Sequence, residues 1–445
     1  MRVLFIELEM EREWSLASIG PAFLAAFVRK HGHDVLLHRS AYDESLEKTL
    51  AVVQSIQPDI LALSLTTRQW LRARAVVKTI RQAINIPTIA GGLHPTFSPE
   101  STLGKFGFDY ICLGEGETAF LDFLNIMEQK GYISPDEIPN IWVKGASRPS
   151  VRSPISSLND LPFMARDMLR EKHGVASMTT QRGCPFPCTY CAARMYNEMY
   201  GTTQYGRRRS INNVLAELQH LRQTGPLNYI IFQDDTFTIQ PKWLREFLPQ
   251  YKKEIHIPFS INARAETISP KMLDQLVDAG CKHIIYGVES GSERLRTDIM
   301  KRNVSNKHLY DVFRWSKERG VITTANYMLG MPTETPAEIE ETLALHHQLQ
   351  PHDFGYFVFY PYPGTPMYHY CKKHGYLPED FEDIQANHRS SVLVNNTLTD
   401  EDIEEYYQRF THIRKQGFLK QYGQYIDEAG RKELHRQIEY IAETG

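Results

Sequence analysis

Cysteine is scarce in this chain: 6 residues among 445, at positions 112, 184, 188, 191, 281 and 371. So few exclude a disulfide-built scaffold and place the protein in a reducing compartment, where clustered thiols serve metals or redox chemistry. Neither sign of charge dominates. Lys plus Arg 50 stand against Asp plus Glu 53, a net charge of −3, so nothing points to bulk nucleic acid as a partner. Long hydrophobic runs are missing too. None approaches the roughly 20 apolar residues of a membrane-spanning helix, and Met1 to Leu8 lacks the extended apolar core and small-residue cleavage site of a signal peptide. Glycine (27) and proline (24) are near ordinary usage, which excludes collagen-like and low-complexity classes. What remains is a cytoplasmic globular protein, 42% hydrophobic and 23% charged, long enough for two or three domains at about 150 residues each.

Periodicity divides the chain. Strand-like runs at Val3–Leu8, Asp34–His38, Asp59–Leu65, Ile86–Ala90 and Asp109–Leu113 alternate with helical patterns, the last covering Thr118 to Gln129. Short apolar strands alternating with helices predict a doubly wound parallel sheet over residues 1–130, with its ligand site beyond the strand carboxyl ends. Residues 131–172, with scattered Pro, Ser and Asp, read as a linker with one hairpin around Ile141–Val143. A second alternating series has strands at 176–180, 228–232, 258–261, 283–288, 324–329 and 354–360. It predicts an open, partial (βα)6 barrel over 173–368, with chemistry at the strand C-termini. In the remaining stretch, 369–445, Thr399–Asp402 reads as a helix start. Ile403, Tyr407, Phe410 and Ile413 form one apolar face, so a C-terminal helical cap is expected.

Three of the cysteines fall within eight residues, Cys184-Pro-Phe-Pro-Cys188-Thr-Tyr-Cys191, directly after the first barrel strand. Three thiolates on one loop suit a 4Fe-4S cubane whose fourth iron keeps no protein ligand and is free to bind something else. A zinc site completed by a distant histidine, and chance clustering, are the alternatives. A structural zinc site usually draws on two paired-cysteine halves, and no second half is present. Cys112, Cys281 and Cys371 each stand alone and read as small buried hydrophobes.

The Cys184-x3-Cys188-x2-Cys191 spacing, with Tyr190 before the last cysteine, resembles the signature of the radical S-adenosylmethionine superfamily. The resemblance implies an iron–sulfur cluster ligated by these cysteines. S-adenosylmethionine would chelate the open iron through its amino and carboxylate groups, and an electron would cleave it to a 5'-deoxyadenosyl radical. It also implies S-adenosylmethionine contacts at Tyr190, Asp234 and Asp235 of Gln233-Asp-Asp235, Ser260, Arg264 and, in Gly287-Val-Glu-Ser-Gly291, Glu289, whose carboxylate would face the ribose hydroxyls. Gly330-Met-Pro332 with Glu334, and Pro361-Tyr-Pro-Gly-Thr365, resemble loops that pass the adenine and the substrate. The Arg207-Arg-Arg209 run reads by default as a solvated charged turn, with steering of anionic groups as the other reading.

The first series, placed ahead of such a barrel, resembles the cobalamin-binding domain found in one subclass of that superfamily. The similarity rests on Ser64, on Gly91-Gly92 with His94, and on Gly114-Glu115-Gly116-Glu117, all at strand ends. Glycines there would let a nucleotide tail slide beside the backbone. The familiar Asp-x-His-x-x-Gly motif is absent after the first strand, where Glu7-Leu-Glu-Met-Glu-Arg12 stands. The lower cobalamin face is therefore expected to be open or occupied from the Thr66–Trp70 loop, with Arg68 as candidate. A degenerate domain that binds nothing is the alternative.

The resemblance implies a cobalamin-dependent radical enzyme methylating an unactivated carbon or phosphinate centre of a small-molecule or metabolite substrate, supplied with electrons by a donor such as flavodoxin or ferredoxin. Cobalamin-assisted cyclisation, ring contraction or rearrangement without methyl transfer is the runner-up, and a non-catalytic metal-binding interaction protein the more distant one. A methylthiotransferase is disfavoured, since that family carries further N-terminal cysteines and only Cys112 precedes the cluster.

Overall fold

The computed structural model describes residues 1–10, 18–104, 107–201 and 206–422. Residues 423–445 of the expected helical cap, and Glu11 and Arg12 in the stretch that stands in place of the histidine motif, lie outside the described residues. The first unit runs β1 (Arg2–Leu8), α1 (Ile19–Lys30), β2 (Asp34–Ser40), α2 (Leu46–Ile56), β3 (Ile60–Ser64), α3 (Trp70–Ala83), β4 (Thr88–Gly91), two short helices α4 (Leu93–Phe97) and α5 (Pro99–Leu103), β5 (Tyr110–Cys112), α6 (Glu117–Lys130) and β6 (Ile141–Val143). The sheet order is β2-β1-β3-β4-β5-β6, and every pairing is parallel except β5 with β6. Its central strands are apolar on both faces because helices cover both. In β1, Val3 and Phe5 pack with Ala22, Phe23 and Val28 of α1, whereas Leu4 and Ile6 pack with Val76, Val77 and Ile80 of α3.

The expected linker is not one. Ile141–Val143 pairs with Tyr110–Cys112 as an antiparallel edge strand rather than forming its own hairpin. Leu158, Leu161, Met164, Met168 and Leu169 join the core under α1 and α6. The apolar anchors of 131–172 sit on irregular backbone, so no period betrayed them, yet burial ties the segment to the first unit.

The second unit contains β7 (Val175–Met178), β8 (Gln181–Arg182), α7 (Ala192–Tyr200), β9 (Arg207–Arg208), β10 (Tyr229–Phe232), β11 (Phe259–Ala263), β12 (Cys281–Glu289), β13 (Ile322–Leu329) and β14 (Asp353–Val358). Six strands form one parallel sheet in the order β14-β13-β12-β11-β10-β7, whose two end strands do not pair with each other, so the barrel is open. Side chains alternate along each strand. In β12, Ile284, Tyr286 and Val288 are buried under the helices, while His283, Ile285, Gly287 and Glu289 are only half-buried and face the concave side. A C-terminal helix, Asp400–Tyr422, starts with the reciprocal Thr399–Asp402 hydrogen bonds of a capping box, at 2.9 and 3.1 Å. Its Ile403, Tyr407 and Phe410 are buried, and Phe410 lies over Tyr327 and Tyr356 at 5.9 and 5.6 Å. It thus takes the place of the helix that would follow a sixth barrel strand.

The two units are clamped by charge. Arg182, on the strand leading into the cysteine loop, donates to the Glu117 carboxylate at 2.5 Å, and Glu117 is 4% exposed. Arg207 holds Glu115 at 3.1 Å, and Tyr200 accepts from the Glu115 amide at 2.7 Å. Burial pushes the Glu117 carboxyl up, but Arg182 outweighs it and the group sits below the usual carboxylate range. Its depressed folded value means that the pair stabilises the protein above the unfolded pKa of about 4.3, and that this is lost as the pH falls through the folded value. Arg182→Ala strands a buried carboxylate and should cost about 3–5 kcal/mol, read as a lower denaturation midpoint at pH 7.5. Because the stranded carboxyl then titrates above its unfolded value, the deficit should shrink between pH 7 and pH 5. An equal deficit at both would refute the assignment.

Candidate active site

The cysteine loop begins where β7 ends, and it is tied from below. Asp234, 1% exposed, accepts from the Thr180 amide and hydroxyl at 2.7 Å each and from the Gln181 amide at 2.9 Å. Gly183 turns the chain with φ +92°. Asn197 of α7 donates to the Cys184 carbonyl at 2.9 Å. Thr189 is held by the carbonyls of Ile299 (2.7 Å) and Met300 (3.2 Å), at the end of the π-helical turn Leu295–Ile299. Cys184 and Cys188 are buried and Cys191, half-buried, caps α7. Burial pushes the Cys191 thiol up to about 12, with Asp235, Cys188 and Cys184 adding their fields, so all three cysteines share one neighbourhood. Buried thiols of this kind become thiolates when a metal supplies the compensating charge. Among the described residues no three His, Cys, Asp or Glu side chains converge on one point as ligands of a single ion. A cubane asks no such convergence, because each thiolate reaches its own iron; this donor set therefore fits the cluster.

The strand-end residues divide into those facing the cavity and those spent on the scaffold. Asp234 belongs to the second group. Both its oxygens are occupied by the cysteine loop, so the sequence-based reading of it as an S-adenosylmethionine contact is corrected to a loop anchor. Asp235 belongs to the first. It is exposed at the mouth and, among the described residues, makes no hydrogen bond through its carboxylate, while the surrounding walls and Asp234 raise its pKa to about 6. Ser260 is buried on the concave row of β11 beside Tyr229, with Asn262 reaching the Asp234 carbonyl at 3.3 Å. Arg264 does not point into open space: its Nη1 donates to the Cys188 sulfur at 2.9 Å and its guanidinium covers the Phe186 ring at 3.9 Å.

Glu289 ends β12 in a left-handed conformation, φ +72°, where the register with β13 shifts. Such strain in a non-glycine residue is a mark of functional positions. Arg302, 3% exposed, donates to Glu289 at 2.8 Å and to the Gly287 carbonyl at 2.8 Å, and lies 3.5 Å from both the Tyr190 hydroxyl and Glu266. A Cβ on Gly287 would stand 2.6 Å from the Glu289 carboxylate and 3.0 Å from Arg302, so only glycine lets the pair cross there. Arg302 and Glu266 were not identified from sequence. Arg302 follows a helical turn with no local motif, and Glu266 is marked only by its place two residues beyond Arg264. Glu334, fully buried, staples its loop by accepting from the Gly330 and Met331 amides at 2.6 and 3.0 Å.

In the first unit, Ser64, Gly91, Gly92 and His94 meet at the ends of β3 and β4. Gly92 has φ +96°, and a Cβ there would stand 2.8 Å from the Leu65 carbonyl and 3.1 Å from the Ser64 hydroxyl. His94 is buried, stacks on Trp70 at 4.9 Å, approaches Thr67 at 3.4 Å and leaves Nε2 without a partner; burial lowers its pKa to about 4, so it is neutral. A neutral orphaned imidazole beside two glycines suits an uncharged amide-bearing ligand such as a corrin. Arg68 lies on the adjoining loop near Tyr362, and its carbonyl accepts from Gln385 at 2.7 Å. The second glycine motif is corrected. Gly114 abuts the Tyr200 hydroxyl, Gly116 abuts Leu24 and Cys112, and Glu115 and Glu117 are engaged by Arg207 and Arg182, so the motif joins the units instead of lining a ligand slot. The arginine run is corrected too. Arg207 pairs with Glu115, Arg208 lies over Trp243 at 4.4 Å, and buried Arg209 pairs with Glu217 at 2.6 Å.

Comparison with known proteins agrees with this layout. Residues 178–346 match the family profile of the Radical SAM superfamily, and residues 12–124 match that of the B12 binding domain. An uncharacterized methyltransferase of Pyrococcus horikoshii is 28% identical over 370 residues, covering 79% of this chain and 78% of that protein. An anaerobic magnesium-protoporphyrin IX monomethyl ester cyclase of Rubrivivax gelatinosus is 24% identical over 394 residues, covering 83% and 69%. Among solved structures, the cobalamin-dependent S-adenosylmethionine radical enzyme OxsB, with aqua-cobalamin and S-adenosylmethionine bound, superposes with a TM-score of 0.74 at 15% identity, covering 99% of this chain and 71% of that one. Among the described residues no helix is long and apolar enough to cross a membrane. The chain belongs to the radical S-adenosylmethionine superfamily, in the subclass with an N-terminal cobalamin-binding domain, and its cofactors are a 4Fe-4S cluster, S-adenosylmethionine and cobalamin.

Proposed function

We propose that this enzyme methylates an unactivated carbon or phosphinate centre of a small-molecule substrate. The observation that carries the reading is the juxtaposition of two sites across one joint. The cysteine loop and unpartnered Asp235 lie at the barrel mouth, the Ser64–Gly92–His94 edge lies on the neighbouring domain, and buried ion pairs hold the two together. The joint is also packed. Phe97 of α4 meets Tyr196 of α7 at 5.0 Å, and a Cβ on Gly364 would run into Met195 and stand 3.3 Å from Phe97.

When bound, the cofactors supply a 5'-deoxyadenosyl radical and a transferable methyl group. The residues do the rest. Cys184, Cys188 and Cys191 hold the cluster. Asp235 accepts the methionine ammonium, Glu289 accepts ribose hydroxyls within reach of Tyr190, and Ser260 lines the same wall. Ser64, Gly91, Gly92 and His94 would seat the corrin, with Arg68 on the adjoining loop. Exposed Phe357, at the concave end of β14, offers apolar surface to a substrate entering between the domains. A low-potential donor of the flavodoxin or ferredoxin kind would supply the electrons, and the balanced charge of −3 suits the cytoplasm. The cyclase relative keeps radical cyclisation or rearrangement without methyl transfer as the second reading.

Reconstituted without oxygen with iron, sulfide and hydroxocobalamin, reduced with dithionite and given S-adenosylmethionine, the protein should release 5'-deoxyadenosine. It should also form S-adenosylhomocysteine as methylcobalamin absorbance grows. Deoxyadenosine alone would favour the second reading, and neither product would refute both. Cys188→Ala should lose the cluster absorbance and all cleavage. Asp235→Asn should keep the cluster but weaken S-adenosylmethionine binding about tenfold, the loss of one charge-assisted hydrogen bond, measured as Kd by equilibrium binding.

A further inference from the structure

A chain of buried charges begins at one cysteine. Arg264, 7% exposed, donates from Nη1 to the Cys188 sulfur at 2.9 Å and from Nη2 to Glu266 at 2.5 Å, with its guanidinium flat on Phe186 at 3.9 Å. The other Glu266 oxygen faces Arg302 at 3.5 Å, and Arg302 pairs with Glu289 at 2.8 Å. Burial pushes the Glu266 carboxyl up, but Arg302 and Arg264 together bring it below the usual range, so it is an anion between two cations.

We infer that Arg264 is a positioning residue that sets the electron affinity of the cluster, by hydrogen-bonding the Cys188 thiolate and raising the reduction potential, while Glu266 holds it in place and tempers its charge. The inference rests on Cys188 being a cluster ligand. The cluster takes up one electron from an external reductant, gaining one negative charge. A donor aimed at a ligating sulfur stabilises that more negative state more than the oxidised one, and hydrogen bonds to the sulfurs are among the determinants of such potentials. The interaction is buried, so water screens it little. Arginine suits the task because its planar fork reaches sulfur and carboxylate together while its face rests on an aromatic ring. The geometry also argues against Arg264 gripping S-adenosylmethionine. Two of its three nitrogens are engaged, and the third, Nε, is buried.

The test is a redox titration of the reconstituted protein with dithionite in the absence of S-adenosylmethionine, following the reduced cluster by electron paramagnetic resonance. Arg264→Gln should lower the ratio of reduced to oxidised cluster at fixed ambient potential about tenfold, which is 59 mV for a one-electron couple. Glu266→Gln, which removes the tempering anion, should shift the potential upward. Arg264→Lys, keeping charge without the fork, should fall between wild type and Arg264→Gln. Opposite shifts from the two members of one ion pair are not what a purely structural role produces. An unmoved potential in Arg264→Gln, or shifts of the same sign in both, overturns the inference. If Arg264→Gln does not fold, a Glu266→Gln potential that stays put or falls overturns it equally. A wild-type protein that takes up no cluster would instead defeat the ligand assignment itself.

Discussion

The arrangement of the whole site depends on one buried carboxylate. The segment from Thr179 to Cys191 has almost no regular structure, and a loop that must present three thiols needs fixed points. Asp234 supplies the first by taking three hydrogen bonds from Thr180 and Gln181, in a place where burial keeps its pKa raised in spite of them. From that anchor the short β8 strand carries Arg182 to the domain joint and delivers Cys184 behind it. The π-helical turn after β12 fixes the far end through Thr189. A loop is thereby made as rigid as an element by side chains of its neighbours, which is what a preorganised site requires.

The same economy governs the joint between the domains. Acidic residues at the end of β5 and basic residues flanking the cysteine loop form pairs whose members are largely buried, so each is costly to leave alone. Such an interface resists sliding more than an apolar one of equal area would, because every shift unpairs a charge. The Ser64–Gly92–His94 edge of the first domain and the thiol loop of the second are held in register by the residues that lead into each.

The architecture was legible in the sequence because both sheets are parallel but for the β5–β6 edge: the first, covered by helices on both faces, leaves apolar runs such as Val3–Ile6, and the second, covered on one face, leaves the alternation of Ile284, Tyr286 and Val288. The cysteine spacing and the Gly287-Val-Glu triplet were legible because the chemistry is compressed into adjacent residues. Roles that depend on distant partners were not. Nothing near Asp234 announces that Thr180 will claim it, and Glu115 and Glu117 resemble a cofactor loop until Arg182 and Arg207 arrive from another domain. The segment 131–172 misled for a related reason: its buried Leu and Met residues sit on irregular backbone, where neither helical nor strand period applies. Arg302 had no signal at all, being defined by four partners separated from it in the chain, Tyr190, Glu266, Gly287 and Glu289.

The segment that crosses back over the first domain carries one last consequence, in time rather than space. Asp383 reaches Arg74 at 2.8 Å and Gln385 reaches the Arg68 carbonyl at 2.7 Å, so the edge beside the proposed corrin site is bridged by residues made late in synthesis. The core of the first domain is contiguous in the chain through Leu169, so all of its members are made well before those residues leave the ribosome. At about 5–20 residues per second, that interval is roughly 10 to 40 s. For that long the nascent chain carries the whole first sheet with the edge at Ser64 and Gly92, the one proposed for the corrin, still unbridged.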